Sequence, residues 1–223
     1  MRAAEPVSVR VSYGSEVDLQ RRIIEGQGEF LLFALTPPRQ TASPEKAQEI
    51  ADITAERLLP LGVDGLILYD IDDESDRNPE ERPFPFLPTM DPADYLLRHL
   101  SAWNTPVVVY RAVGKYAEPD LEEWLLAQEP DRRLSVFVGA ASRDTSVATS
   151  LGRAQSLRAR TRPDLLLGGV AIPERHARSG DEHLRLLRKQ AAGCSFFVTQ
   201  VSTTRMRRRT SCLTIATSAS RKV

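Results

Sequence analysis

The chain has 223 residues, in which 30 Lys and Arg balance 30 Asp and Glu, and hydrophobic residues make up 41%. This length suits one α/β barrel, which takes about 250 residues, and the neutral balance excludes a whole-chain field that attracts nucleic acid or anionic lipid. No run of about 18–20 apolar residues indicates a membrane span, and Cys194 and Cys212 are too few for a disulfide framework. We therefore expect a soluble cytoplasmic protein without a nucleic-acid or membrane partner.

Six short apolar runs alternate with helical patterns along the chain. Nearly continuous apolar runs are typical of strands that are covered on both faces in a parallel sheet. The predicted strands are 30–36, 64–70, 106–114, 134–140, 165–172 and 195–201. The predicted helices are 44–61, 92–103, 118–128, 146–160 and 181–192. Ser43 before Pro44 is a typical N-cap, and Gly62 and Gly193 stand where helices commonly end on glycine.

Strand–helix repeats with right-handed crossovers leave two main architectures, a doubly wound sheet and a (β/α)8 barrel. A doubly wound nucleotide-binding fold carries a glycine-rich turn after its first strand, whereas this strand runs into residues 36–39 (TPPR). We therefore predict an α/β protein, a TIM-type (β/α)8 barrel that is incomplete over residues 1–201, with about six of the eight strands of such a barrel.

A proline-rich connection of about 20 residues follows the second predicted strand. At the carboxyl end of a barrel strand it would lie on the catalytic face. An acidic set begins with Asp70 at the end of the strand and continues into the connection with Asp72, Asp73, Glu74 and Asp76. An apolar set in the connection includes Phe84, Phe86 and Leu87. The acidic set could supply a general acid or bind a cation, or could be a solvated loop. The apolar set could cover a planar ligand or plug the barrel mouth. No metal site is assigned.

Three motifs stand in order in the last third of the chain, at residues 169–176 (GVAIPERH), 186–193 (LLRKQAAG) and 196–200 (FFVTQ). A weaker motif lies at residues 33–39 (FALTPPR). Together they resemble the methylenetetrahydrofolate reductase family, whose patterns are G-V-A-G-Y-P-E-x-H, L-K-x-K-x-x-A-G, F-I-I-T-Q and F-E-F-F-P-P-R. This family is a flavin-using (β/α)8 barrel of one-carbon metabolism.

The resemblance implies hydride transfer from NADH or NADPH, through FAD or directly, to 5,10-methylenetetrahydrofolate, which gives 5-methyltetrahydrofolate. It places Gln200 against the folate, where an amide could donate and accept hydrogen bonds at the pterin edge. It places His176 and Lys189 against the cofactor, and Glu182 near the position of a family aspartate. Each residue also has a reading without a ligand. His176 is then a solvated loop residue, Lys189 is a last-turn lysine that interacts favourably with the helix dipole, and Gln200 is a solvent-facing strand end.

Three departures from the family pattern alter the expected chemistry. The family's general-acid glutamate falls on Ala34, which cannot transfer a proton. The glycine-rich Y-G-A-G-G is replaced by residues 69–74 (YDIDDE), whose carboxylates repel phosphate, and L-R-G-D meets residues 138–141 (VGAA). Asp70, nearest to the strand end, is therefore the hypothetical replacement acid.

Two other functions stay open beside the reductase. One is a catalytically inactive barrel that binds folate or a partner protein such as a methyltransferase. The other is a barrel lyase or aldolase on another substrate. A Schiff-base enzyme of that kind needs a lysine at a strand end, but Lys115 lies just beyond its strand and Lys189 is on a helix.

Residues 202–223 have no hydrophobic periodicity and are rich in Ser, Thr and Arg. The basic run at 205–209 (RMRRR) is too short to indicate nucleic-acid binding by itself. The codons that can encode 202–210 also allow YDADATKD in another frame, which reads as a strand end followed by a helix. We therefore predict that this tail arises from a frameshift and replaces the seventh and eighth strands of the barrel.

Overall fold

The computed structural model describes residues 19–27, 30–71, 88–130, 132–140 and 146–200. The acidic residues 72–76, the apolar residues Phe84, Phe86 and Leu87, and the tail 202–223 lie outside these residues. The predictions made for them therefore stay predictions.

The described strands form one parallel sheet whose order in space is the order in sequence. The strands are β1 (Leu32–Leu35), β2 (Gly65–Leu68), β3 (Val107–Ala112), β4 (Arg133–Val138), β5 (Leu167–Ala171) and β6 (Phe196–Thr199). A doubly wound sheet reverses its strand order at a switch point, and this sheet does not. The fold is an incomplete α/β barrel with six strands, as the sequence predicted.

Seven helices accompany the strands in the described part of the chain. They are α1 (Leu19–Ile24), α2 (Pro44–Leu58), α3 (Pro92–His99), α4 (Glu118–Leu126), α5 (Leu151–Thr161), α6 (Pro173–Ser179) and α7 (Glu182–Ala191). The five predicted helices are present with shifted ends, most of all α5, which starts five residues later than predicted because Ser150 caps it. The helix α6 was not predicted, since residues 173–180 were expected to be a loop.

Local signals in the sequence account for the ends of α2 and α7. The Ser43 hydroxyl accepts a hydrogen bond from the backbone N–H of Lys46 at 3.3 Å, so it caps α2 as predicted. Gly62 and Gly193, just past helical segments, have positive φ values of 59° and 96°. Glycine adopts this backbone conformation without the steric cost that other residues meet, and both helix ends were predicted on that basis.

The sheet separates two apolar clusters. The first, here called the helix-facing layer, lies between the sheet and the outer helices, and contains Leu66, Leu68, Val107, Val109, Phe137 and Leu167 with Tyr95, Leu121 and Leu157 from helices. The second, here called the inner face, lines the concave side of the sheet and contains Ile67, Tyr69, Val108, Tyr110, Leu134, Val136, Val138, Val170, Phe196 and Val198. Leu19 of α1 belongs to this second cluster and contacts the start of β2, so α1 covers the amino-terminal end of the inner face.

The two glycines of β5 bring neighbouring groups close to the strand on both sides. A Cβ atom at Gly168 would lie 2.5 Å from the ring of Phe196, which is on the inner face. A Cβ atom at Gly169 would lie 3.2 Å from the ring of Phe197 and from the side chain of Lys189, on the opposite side. The Gly-Gly pair therefore allows β6 and α7 to pack closely against β5.

Candidate functional site

The carboxyl ends of the strands meet at one edge of the inner face, which is where barrel enzymes place their active sites. Alternation along the strands puts Ala34, Tyr69, Tyr110, Val138, Val170, Val198 and Gln200 at that edge. We call these residues the carboxyl-terminal inner face. They are uncharged, and three of them carry polar groups, namely Tyr69, Tyr110 and Gln200.

Tyr69 and Tyr110 lie side by side on neighbouring strands. The register pairs Leu68 with Val109, so the next residue of each strand faces the other, and the two rings meet edge to face with centroids 4.9 Å apart. Tyr110 is only 7% exposed, whereas Tyr69 is partly exposed. Burial, with a further contribution from Tyr69, raises the pKa of Tyr110, so its hydroxyl stays protonated. Neither hydroxyl has a hydrogen-bond partner within the described ranges.

Gln200 and Ala34 lie at the two outer strands of the described sheet. Gln200 follows β6, its backbone N–H donates to the Ala171 carbonyl at 2.9 Å, and its side chain is exposed. Gln200 therefore occupies a solvent-facing strand end. Ala34 is also exposed on β1, and its methyl group supplies no proton donor where the family resemblance implies a glutamate.

Asp70 belongs to a buried polar network rather than to the inner face. Its side chain is fully buried and accepts three hydrogen bonds: from Lys115 Nζ at 2.7 Å, from the Ala112 N–H at 2.8 Å and from the Tyr116 hydroxyl at 2.9 Å. Two of these donors lie just after β3, so Asp70 ties the end of β2 to the segment that follows β3. As a replacement acid it would have to give up these partners.

The same network continues through Asp91 and Arg111. Asp91 caps α3 by accepting from the Ala93 N–H at 2.8 Å, and it pairs with Arg111 and with the Tyr116 hydroxyl at 2.9 Å. Burial opposes the charge on Asp91, but the Arg111 guanidinium and the Tyr116 hydroxyl outweigh it, so the pKa of Asp91 is lowered. Burial, reinforced by Asp70 and Asp91, raises the pKa of Tyr116 despite Arg111, so its hydroxyl remains protonated.

Arg111 also has aromatic contacts on both sides. Its guanidinium carbon lies 4.4 Å from the ring centre of Tyr116 and 4.4 Å from that of Trp124. An arginine held between two aromatic faces and paired with a carboxylate is a rigid element. Sequence reasoning missed this network, although one signal was present: a charged residue, Arg111, interrupts an otherwise apolar strand.

Lys189 and Glu182 lie on α7, behind the sheet. Glu182 is fully buried, and its carboxylate accepts from the Ile172 N–H at 2.8 Å. Lys189 runs along Gly169 and donates to the Val170 carbonyl. Burial lowers the pKa of Lys189, and the nearby Glu182 opposes that effect. Both side chains therefore have partners within the protein and hold α7 against β5, in the helix-facing layer.

His176 lies on α6, so its expected place in a loop was wrong. Its ring meets that of His183, at the start of α7, edge to face with centroids 5.5 Å apart. The Nδ1 atoms of both rings are buried and have no hydrogen-bond partner in the described chain. The pair fills the corner between α6 and α7.

The predicted site residues thus fall into three separate places. Gln200 and Ala34 lie on the inner face, Asp70 lies in the network after β2 and β3, and His176, Glu182 and Lys189 lie on α6 and α7. Over residues 19–27, 30–71, 88–130, 132–140 and 146–200, no group of three or more His, Cys, Asp and Glu could hold a metal ion. The helices within these ranges are all too short or too polar to span a bilayer.

The fold and the uncharged inner face define an incomplete α/β barrel with its polar groups at the carboxyl ends of the strands. Its structure is similar to that of an uncharacterized protein from Clostridium thermocellum that binds two copies of 5-methyl-5,6,7,8-tetrahydrofolic acid, with 33% identity and a TM-score of 0.78. The match covers 91% of this chain and 65% of that protein, so this chain spans less than two thirds of its length.

A second solved structure supports the fold alone. Oxaloacetate acetylhydrolase matches with 13% identity and a TM-score of 0.55, over 92% of this chain and 69% of that one. No protein-family model matches the chain, and the comparison with curated proteins gave no match.

Proposed function

We propose that this chain is a folate-binding barrel, which takes a reduced folate such as 5-methyltetrahydrofolate without turning it over. The observation that carries this proposal is the 33% identity to a protein that binds two copies of that folate, over 91% of this chain. The alternative of an inactive folate-binding barrel, kept open by the sequence, is thereby favoured over the reductase.

The chemistry of the inner face supports a binding role. Gln200 is exposed at a strand end and offers an amide that can both donate and accept, as the edge of a pterin ring requires. The position that the resemblance assigns to the general acid is Ala34, and Asp70 already accepts hydrogen bonds from three internal donors. Groups that bind a folate are thus present, while no carboxyl group that could replace the family's general acid lies among the described residues of this face.

A reductase that uses NADH or NADPH is the second candidate, and the motifs at residues 169–176 and 196–200 favour it. The residues do not fit FAD, however. Lys189 and Glu182, which the resemblance assigns to the cofactor, have internal partners behind the sheet. Asp70 stands within the segment that replaces the family's glycine-rich turn. If the chain is a reductase, hydride would therefore pass directly from the nicotinamide to the folate methylene carbon.

Isothermal titration of the purified chain with 5-methyltetrahydrofolate tests the binding proposal. We expect saturable binding and a rise in the melting temperature with ligand concentration, because a ligand that binds only the native state stabilises it. Absence of both effects would overturn the proposal. A p-aminobenzoylglutamate control, which lacks the pterin ring, should bind much more weakly.

The reductase candidate is tested separately by oxidation of NADH and NADPH in the presence of 5,10-methylenetetrahydrofolate. We expect no oxidation above that seen without the folate. Folate-dependent oxidation would replace the binding role with the reductase. A yellow flavin absorbance in the purified protein would contradict the poor fit to FAD.

A further inference from the structure

We propose that Tyr69 and Tyr110 recognise the pterin ring of the bound folate, with Tyr110 donating a hydrogen bond from its hydroxyl and Tyr69 supplying an aromatic wall. This inference rests on the proposed folate binding and identifies where on the molecule it occurs. No motif marked Tyr110, which ends a run of valines, and Tyr69 entered only as the first residue of the segment 69–74 that replaces Y-G-A-G-G.

The Tyr110 hydroxyl has no partner among the described residues, although most of its side chain is buried. Its side chain is more than nine-tenths buried on the inner face, yet its hydroxyl makes no hydrogen bond to any described residue. The hydroxyl itself is not enclosed by the described protein, so a group that enters on the concave side of the sheet can reach it. A ligand oxygen or ring nitrogen on the concave side of the sheet would accept this bond. Burial raises the pKa of this hydroxyl, so it is protonated at neutral pH and can donate to such an atom.

Tyr69 makes this position reachable. It lies one strand away from Tyr110, its ring stands at 77° to that of Tyr110, and it keeps part of its surface exposed at the carboxyl end of β2. A flat heterocycle that packs against Tyr69 would reach the Tyr110 hydroxyl with its edge. Aromatic packing of this kind favours planar ligands.

The surroundings select for a neutral ring. The described residues of the inner face around the two tyrosines are aliphatic, namely Ile67, Val108, Val136, Val138, Val170 and Val198. Apolar walls with a few placed polar groups are typical of sites for small organic ligands. A phosphate or carboxylate would meet no cation on these walls, whereas a pterin ring is uncharged near neutral pH and offers donors and acceptors at its edge.

Conservative variants test the inference through binding affinity. Y110F removes only the hydroxyl, and Y69L removes the aromatic ring. We expect each to weaken binding of 5-methyltetrahydrofolate by about 3–10-fold, as for the loss of one hydrogen bond or one aromatic contact. Y95F is the matched control, because Tyr95 is equally buried (1% exposed) but lies on α3 in the helix-facing layer. It should bind folate as the unmodified chain does.

The outcomes separate this inference from the proposed function. If the unmodified chain binds no folate, both fail. If it binds folate and Y110F and Y69L bind as tightly as Y95F, folate binding stands and the tyrosine pair is excluded. When the titrations are repeated with tetrahydropterin, which has no benzoylglutamate tail, Y110F and Y69L should weaken binding by the same factors as for 5-methyltetrahydrofolate. If both variants bind tetrahydropterin as tightly as the unmodified chain does, the tyrosines do not recognise the ring. Melting curves of Y110F and Y69L show whether a loss of binding reflects a loss of folding, and Y69F, which keeps the ring, should retain the binding that Y69L loses.

Discussion

The two sides of the sheet carry different chemistry. The helix-facing side holds nearly all of the buried charge in the described chain, in the network of Asp70, Asp91 and Arg111 and in the α7 pair of Glu182 and Lys189. The inner face holds no charge among its described residues, but has two tyrosine hydroxyls and the Gln200 amide. Charge is therefore used to fix the fold, and neutral polar groups face the space where a ligand can enter.

This difference matters because charged residues usually attract attention as functional candidates. Asp70 was selected for its place at a strand end, Glu182 and Lys189 were selected by the family resemblance, and in the structure each has partners within the protein. Four measurements test this contrast between the two sides of the sheet, in order of decreasing effect.

Removing the carboxylate of Asp70 should cost the most stability. D70A removes the buried acceptor of Lys115 and of the Ala112 N–H, and we expect the free energy of unfolding to fall by about 3 kcal/mol. Urea denaturation measures this change. The control E49A removes an exposed pair with Lys46 and should cost under about 1 kcal/mol. A D70A chain as stable as the unmodified one would contradict a structural role and restore Asp70 as a candidate acid.

Filling the space beside Gly168 should disturb the inner face directly. G168V places methyl groups where the Phe196 ring lies, and we expect a loss of about 1–3 kcal/mol by overpacking. The control G152A lies on α5 where a Cβ atom meets nothing within 4 Å, and it should be neutral or stabilising. The double variant G168V/F196A should recover part of the loss, and no recovery would show that the strain lies elsewhere.

Lowering the pH should destabilise the fold by protonating Asp91 in the buried network. Its pKa is lowered in the folded chain, so its contribution to stability is present at neutral pH and is lost as the pH falls below about 4, through the folded pKa. D91N should therefore show a shallower loss of stability in urea titrations at acid pH. D94N, at an exposed residue of the same helix, serves as the control. If the free energy of unfolding falls with pH as steeply for D91N as for the unmodified chain, Asp91 makes no such contribution.

Gln200 should affect binding and leave stability nearly unchanged. Because its side chain is exposed, Q200A should change the free energy of unfolding by less than about 0.5 kcal/mol. Its affinity for 5-methyltetrahydrofolate should fall by about 2–10-fold, as expected for loss of one or two hydrogen bonds. K189M, behind the sheet, should leave the affinity unchanged. If K189M weakens binding and Q200A does not, the ligand binds at α7 and not at the inner face.

The six strands could be predicted because each apolar run has the length of a typical strand and is shorter than a typical helix. It missed α6 because residues 173–179 (PERHARS) are short and polar, without an apolar period. It could not decide which layer Lys189 and Glu182 would occupy, since that depends on the packing of α7 against Gly169. Tyr110 was hidden for the opposite reason, because within a run of valines a tyrosine reads as ordinary core.

The strand order has a consequence for how the chain acquires its structure. Every strand pairs with the strand that precedes or follows it along the chain, as when β3 pairs with β4 from Val107 and Arg133 onward. The sheet can therefore grow in one direction as the polypeptide leaves the ribosome, one strand–helix unit at a time, without waiting for a distant segment. This topology permits vectorial folding, in which each nascent unit packs against the unit synthesised before it.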